Sequence, residues 1–156
     1  MHFNIIQISE QRVPKGDRID YYDVGEDPMF LAETDYGGDE RTGEDRRDAL
    51  ECIQNQIKEF ANVDVKTATI TFKEKKIVKR AWVRHINKAV KTFKESLSDG
   101  VAATAEYKLR TNIAELASGD LWYYRYCTKF ADIVADYLAG YLPKTLHIGA
   151  ILDAHC

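Results

Sequence analysis

The pattern of apolar and polar positions predicts four β-strands along this chain of 156 residues. Residues 3–9 and 145–153 are apolar on both parities, which is typical of strands buried on both faces. Residues 67–72 alternate threonine with apolar side chains and predict a half-buried strand. The aromatic content of residues 121–127 predicts the fourth strand.

Apolar positions three and four residues apart predict four helices between these strands. Their predicted spans are about 43–61, 75–98, 101–118 and 129–140. Glycine at the ends of the last two and a threonine before the first are common helix boundaries. We therefore expect a single domain of the α/β or α+β class. It would have about four strands and four helices in the order β-α-β-α-α-β-α-β, with helices covering the sheet.

Residues 10–41 show no sustained period, and glycine and proline interrupt them repeatedly. This pattern predicts a long irregular loop at about 10–41. A loop of this length inside a compact domain is usually functional or mobile. The segment is therefore the first place to look for a binding surface.

Charge is distributed unevenly, although the formal net charge of the chain is only −3. Residues 17–48 contain twelve acidic and four basic residues, which leaves eight excess negative charges. Residues 73–94 contain nine basic residues and one acidic residue, which leaves eight excess positive charges. The small total therefore conceals two segments of opposite sign.

The basic segment coincides with the predicted helix at 75–98. Helical spacing places five of its cations on one face. They are Lys76, Arg80, Arg84, Lys88 and Lys91. Like charges at this spacing repel one another. Three interpretations are open: a solvated helix face, pairing with the chain's own acidic segment, or contact with nucleic-acid phosphates.

The acidic segment interleaves tyrosines with carboxylates, and we predict that it binds a protein with a basic surface. The residues of this candidate surface are Asp20, Tyr21, Tyr22, Asp23, Glu26, Asp35, Tyr36 and Asp39. Carboxylates can imitate phosphates and tyrosine rings can supply stacking contacts, so the segment could occupy a basic groove. The alternative is an ordinary solvated acidic loop.

Three aromatic residues in the predicted strand 121–127 form a second candidate surface. Trp122, Tyr124 and Tyr126 share one face if this segment is extended. Together with the basic helix they could bind nucleic acid by stacking and phosphate contact. The same pattern is also typical of a strand buried under helices.

Catalytic and metal-binding motifs are absent from the sequence. His147, Asp153, His155 and Cys156 are residue types that zinc accepts, but their spacing matches no metal motif. Cys127 lies in an aromatic-rich segment and is expected to be a buried thiol rather than a nucleophile. We therefore expect no catalytic residue, no metal and no cofactor.

These observations favour a non-catalytic interaction protein, such as an inhibitor or an accessory factor of a mobile element. We expect a cytoplasmic protein, because the sequence shows neither a secretory signal nor a membrane-spanning stretch. The expected partner is a protein with a basic surface or a second copy of the chain. The alternative is a nucleic-acid-binding protein that uses the basic helix and the aromatic strand.

Overall fold

The computed structural model describes residues 2–33, 36–98 and 120–155, which form an α+β fold around one mixed sheet. The strands in these residues are β1 (His2–Ser9), β2 (Tyr36–Glu40), β3 (Ala61–Asp64), β4 (Thr69–Phe72), β5 (Leu121–Tyr123), β6 (Cys127–Thr128) and β7 (Thr145–His155). The α-helices are α1 (Tyr21–Val24), α2 (Pro28–Glu33), α3 (Gly43–Ile57), α4 (Lys75–Ser98) and α5 (Phe130–Ala139). A single 3-10 turn spans Lys15–Asp17.

The long strand β7 is the centre of the sheet, whose order is β3-β4-β7-β1-β5-β6. Strand β1 runs antiparallel along one edge of β7 and pairs in parallel with β5 on its other side. On the opposite edge of β7, β4 pairs with the first three residues and β2 pairs with the last few. The middle of that edge is therefore left without a strand partner in the described residues.

A β-bulge interrupts the pairing of β1 with β7 at Gln7, where the register shifts between Ile6 and Ile8. The side chain of Gln7 is buried there and satisfies the bulged backbone. Its Oε1 accepts hydrogen bonds from Ala150 N at 2.9 Å and from Ile19 N at 3.2 Å. Its Nε2 donates to the carbonyl oxygen of Asp17 at 3.0 Å. One side chain thus joins the sheet to the segment that follows β1.

Both faces of the sheet are covered, because alternate residues of the central strands point to opposite sides. Helices α3, α4 and α5 bury Ile53, Val78 and Val134 against one face. Helices α1 and α2 bury Val24 and Phe30 against the other. Helix α4 is the longest, but no helix in the described residues is both long and apolar enough to cross a membrane.

The prediction of irregular structure over residues 10–41 is wrong. This segment contains the 3-10 turn, α1, α2 and the edge strand β2, and it covers one face of the sheet. Elements of three to six residues are too short to establish a helical or strand period. Side-chain caps at Asp20 and Asp27 specify α1 and α2 instead.

The predicted numbers of strands and helices also differ from the structure. Residues 61–64 form β3, where no strand was predicted. The expected strand 121–127 is divided into β5 and β6, because Arg125 has a positive φ of 75° and turns the chain between them. The predicted helix 101–118 lies outside the described residues. The expected class is confirmed in its α+β form.

Candidate functional site

Helix α1 is fixed by a capping box built from two of the predicted acidic residues. Asp20 Oδ1 accepts hydrogen bonds from Tyr22 N at 2.8 Å and from Asp23 N at 3.2 Å. Asp23 Oδ2 accepts in return from Asp20 N at 2.8 Å. The two carboxylates therefore define the backbone conformation of the predicted binding segment as well as its charge.

An exposed tyrosine ring projects from this helix. The Tyr22 side chain is 86% exposed, and Tyr21 beside it is 38% exposed. The Tyr21 ring contacts the rings of Tyr22 and of buried Phe30 edge-on, at centroid distances of 5.9 and 5.6 Å. The Tyr21 ring therefore lies between Tyr22 and the core. Glu26 is exposed just after the helix.

The segment that contains α1, α2 and β2 carries negative charge only. Residues 19–40 contain eight acidic residues and no lysine, arginine or histidine. We call the exposed side of residues 20–26 the acidic surface: Asp20, Tyr21, Tyr22, Asp23 and Glu26. Helix α1 contacts β2, and the carboxylate of Asp39 is exposed on that neighbouring strand. Asp35 and the side chain of Tyr36 lie outside the described residues.

Two carboxylates of the acidic segment have structural roles that the sequence analysis did not assign. Asp27 Oδ1 accepts from Met29 N at 2.9 Å at the start of α2, and its Oδ2 accepts from Cys127 N at 2.8 Å. Glu40 Oε1 pairs with Arg18 Nη1 at 2.6 Å. The sequence signal for the role of Asp27 at the start of α2 is an aspartate directly before a proline and an apolar run.

The five predicted cations of α4 all lie on its exposed side, as their helical spacing indicates. They are Lys76, Arg80, Arg84, Lys88 and Lys91. Arg84 Nη2 lies 3.2 Å from Glu59 Oε2, and Lys91 Nζ lies 3.8 Å from Glu95 Oε1. Exposed pairs of this kind contribute at most about 1 kcal/mol.

The acidic and basic segments do not neutralise each other in the described part of the chain, where no ion pair joins residues 17–48 to α4. The core contacts explain the separation. Helices α1 and α2 pack on one face of the sheet, and α4 packs on the other. The two surfaces therefore present opposite charge on opposite sides of the sheet.

The expected aromatic face on residues 121–127 does not form. Trp122 is fully buried and packs against the Phe130 ring at a centroid distance of 4.9 Å. Tyr126 is exposed beyond the turn at Arg125, and the Tyr124 hydroxyl donates to Glu10 Oε1 at 2.5 Å. The chain turns after Tyr123, so the three rings do not share a strand face.

The bulge also separates the candidate metal ligands near the end of β7. Because the register shifts between Ile148 and Ile151, His147 and Asp153 point to opposite faces of the strand. Asp153 is engaged by Arg41 Nη2 at 2.7 Å and by His2 Nδ1 at 3.2 Å. Cys156 lies outside the described residues, in which no group of three ligand-type side chains surrounds a metal-sized space.

Cys127 is buried as expected, and its surroundings disfavour the reactive thiolate. Burial, together with the nearby Asp27 carboxylate, raises the pKa of the Cys127 thiol to about 12. A nucleophilic cysteine needs an electropositive and accessible setting instead.

Comparison of the chain with protein-family models, curated proteins and solved structures gives no match.

Proposed function

We propose that this chain is a non-catalytic binding protein that presents its acidic surface to a protein partner with a basic surface. The observation that carries the proposal is the exposed Tyr22 ring, which contacts the Tyr21 ring and is flanked by Asp20 and Asp23. Because a tyrosine side chain has only two rotatable torsions, it loses little conformational entropy on binding, and it is a common anchor at protein interfaces. The surrounding carboxylates favour a partner that supplies lysine or arginine.

The separation of charge across the sheet supports this proposal. Because α4 lies on the opposite face, its cations leave the acidic surface accessible to an external cation. The same arrangement would allow α4 of one copy to meet the acidic surface of another. A second copy of the chain is therefore one of the basic partners that the test must include.

The proposal predicts that Tyr22→Ser combined with Glu26→Gln weakens partner binding at least tenfold. Neither side chain makes a hydrogen bond in the described structure, so the fold should persist. The measurement is quantitative capture from a lysate of the native host by the immobilised protein. Sedimentation at several concentrations tests self-association in parallel.

Tyr141→Ser combined with Glu51→Gln is the matched control. It removes the same groups from two exposed positions outside the acidic surface, Tyr141 being 78% exposed. A partner lost by the first variant and kept by the control supports the proposal. The proposal is contradicted if the natural protein and both variants retain the partner equally, or if both variants lose it to the same extent.

Nucleic-acid binding by α4 is the second candidate function, supported by the five exposed cations on one side of that helix. The buried Trp122 takes no part in it. If this function is correct, Arg84→Glu with Lys88→Glu should remove most binding of labelled single-stranded DNA or RNA at low salt, measured by fluorescence anisotropy. Binding by the unmodified protein should also weaken steeply as salt increases. Anisotropy that does not respond to salt or to the substitutions would rule it out.

A further inference from the structure

A cavity of about 420 Å³ lies beside His147 and Ile148 of β7, where the pairing of that strand with β4 ends. Its walls come from segments that are distant in sequence: the loop after β1, the first turn of α3, the turn before β4 and the first residues of β7. The volume falls within the range of about 300–1,000 Å³ that is common for small-molecule sites. None of the residues predicted to form the acidic or nucleic-acid-binding surfaces lines this cavity.

Five cationic side chains line the cavity: Arg12, Arg18, Arg46, Arg47 and Lys66. No carboxylate is among its lining residues. Glu40 pairs with Arg18 at 2.6 Å and with Arg46 at 3.7 Å, whereas Glu44 and Asp48 lie 3.9 and 4.0 Å from Arg47. One shared carboxylate and two distant, exposed carboxylates do not balance five cations, so the cavity keeps excess positive charge. We call this site the arginine cavity.

Arg46 is held in a fixed position at the base of the arginine cavity. Its Nη2 donates to the carbonyl oxygen of Gly149 at 2.7 Å, in the middle of β7. Its Nη1 is buried from solvent and lies 3.7 Å from Glu40 Oε1, beyond hydrogen-bond distance. Burial and the neighbouring Arg18 lower the pKa of the Arg46 guanidinium. An anion in the cavity would add to Glu40 in offsetting the repulsion between the two arginines.

The start of α3 adds a further feature that favours anions. Gly43, its first residue, lines the cavity, and the side chain of Thr42 does not cap the helix. The first amides of a 15-residue helix carry a partial positive charge. Glu44 and Asp45 belong to this turn, but both are exposed and neither lines the cavity.

We propose that the arginine cavity binds a small phosphorylated ligand with a partly apolar body, and that this ligand is a nucleoside diphosphate. The cations and the start of α3 would hold the phosphates. The body would lie against the apolar part of the wall, formed by Val13, Leu50, Val65 and Ile148. This site is independent of the acidic surface, because the two share no residue.

Calorimetric titration at low salt with ADP, inorganic pyrophosphate and adenosine tests the proposal. We expect ADP to bind more tightly than pyrophosphate, and adenosine to bind most weakly. Arg12→Gln with Lys66→Gln should weaken ADP binding at least tenfold. These two side chains make no hydrogen bond or ion pair within the described residues, so the variant should fold. Arg46 is left unchanged because its guanidinium donates a hydrogen bond to the backbone of β7.

Lys79→Gln with Lys94→Gln is the control, since it removes two exposed charges from α4 that belong neither to the cavity nor to the candidate nucleic-acid-binding surface, and it should change ADP binding less than twofold. The amide resonance of Gly43 should also shift during the titration. The proposal is overturned if ADP does not bind, or if both variants weaken its binding equally. It is also overturned if pyrophosphate binds as tightly as ADP, or if only a 20-nucleotide single strand binds.

Discussion

Gly149→Ala is expected to lower the free energy of unfolding by about 3 kcal/mol, the upper end for forcing extra volume into a packed core. A Cβ at this position would lie 2.2 Å from Gln7 Oε1 and 2.7 Å from Gln7 Cδ. The Gln7 side chain has little room to move, because it is buried and its amide makes three hydrogen bonds. Displacing it would leave the Ile19 and Ala150 amides without their acceptor.

Urea unfolding of Gly149→Ala, Gly16→Ala, Gln7→Ala and the Gln7→Ala, Gly149→Ala double variant measures this effect. Gly16→Ala is the control, since nothing lies within 4 Å of the added carbon, and it should change the free energy of unfolding by less than about 0.5 kcal/mol. In a Gln7→Ala background, Gly149→Ala should cost much less than in the natural sequence, because the clashing atoms are gone. Additive losses from Gln7→Ala and Gly149→Ala would show that Gln7 is not the obstacle.

This bulge also explains a limit of the sequence analysis. The apolar run in residues 145–153 correctly indicates the buried strand β7. The helical periodicity of the apolar positions over the 24 residues of α4 correctly gives the bounds of that helix. Parity along β7, however, would place His147 and Asp153 on one face. The extra residue opposite Gln7 reverses that relation, and only the partner strand reveals it. Long periodic elements were therefore predictable, whereas register and short capped helices depended on tertiary contacts.

The two candidate sites also differ in how far the sequence alone reveals them. The acidic surface was recognisable because its residues are consecutive, although the capping roles of its carboxylates were not. The arginine cavity was hidden, because its cations come from separate segments. Arg46 and Arg47 also lie inside the segment whose summed charge is negative. A sum over consecutive residues cannot detect a site that only folding assembles.

Asp120 is a buried carboxyl group whose environment penalises its charge. The residue is 4% exposed, and its Oδ1 accepts from Asn4 N at 2.7 Å. Its Oδ2 is buried without a hydrogen-bond partner. Burial raises the pKa of Asp120 from 3.8 to about 6, outweighing the hydrogen bonds from Asn4 and the nearby charges of Arg41 and Lys129, which lower it.

The raised pKa makes the protonated form of Asp120 the one that folding favours. Between pH 4 and about 6 the folded state holds this proton more tightly than the unfolded state, so stability falls as pH rises through that window. The shift corresponds to about 3 kcal/mol, and the loss is complete near pH 7. A neutral amide at this position would not titrate, and its oxygen could still accept the hydrogen bond from Asn4 N.

Asp120→Asn should therefore gain about 3 kcal/mol in unfolding free energy relative to the natural sequence as the pH increases from 4 to 7. Urea unfolding at each pH unit measures this difference. Asp48→Asn is the control for net charge, because it removes one exposed carboxylate. A difference between Asp120→Asn and the natural sequence that is the same at pH 4 and pH 7 would mean that the folded state does not retain the proton. In that case a cation or donor must stabilise the ionised carboxylate at Oδ2.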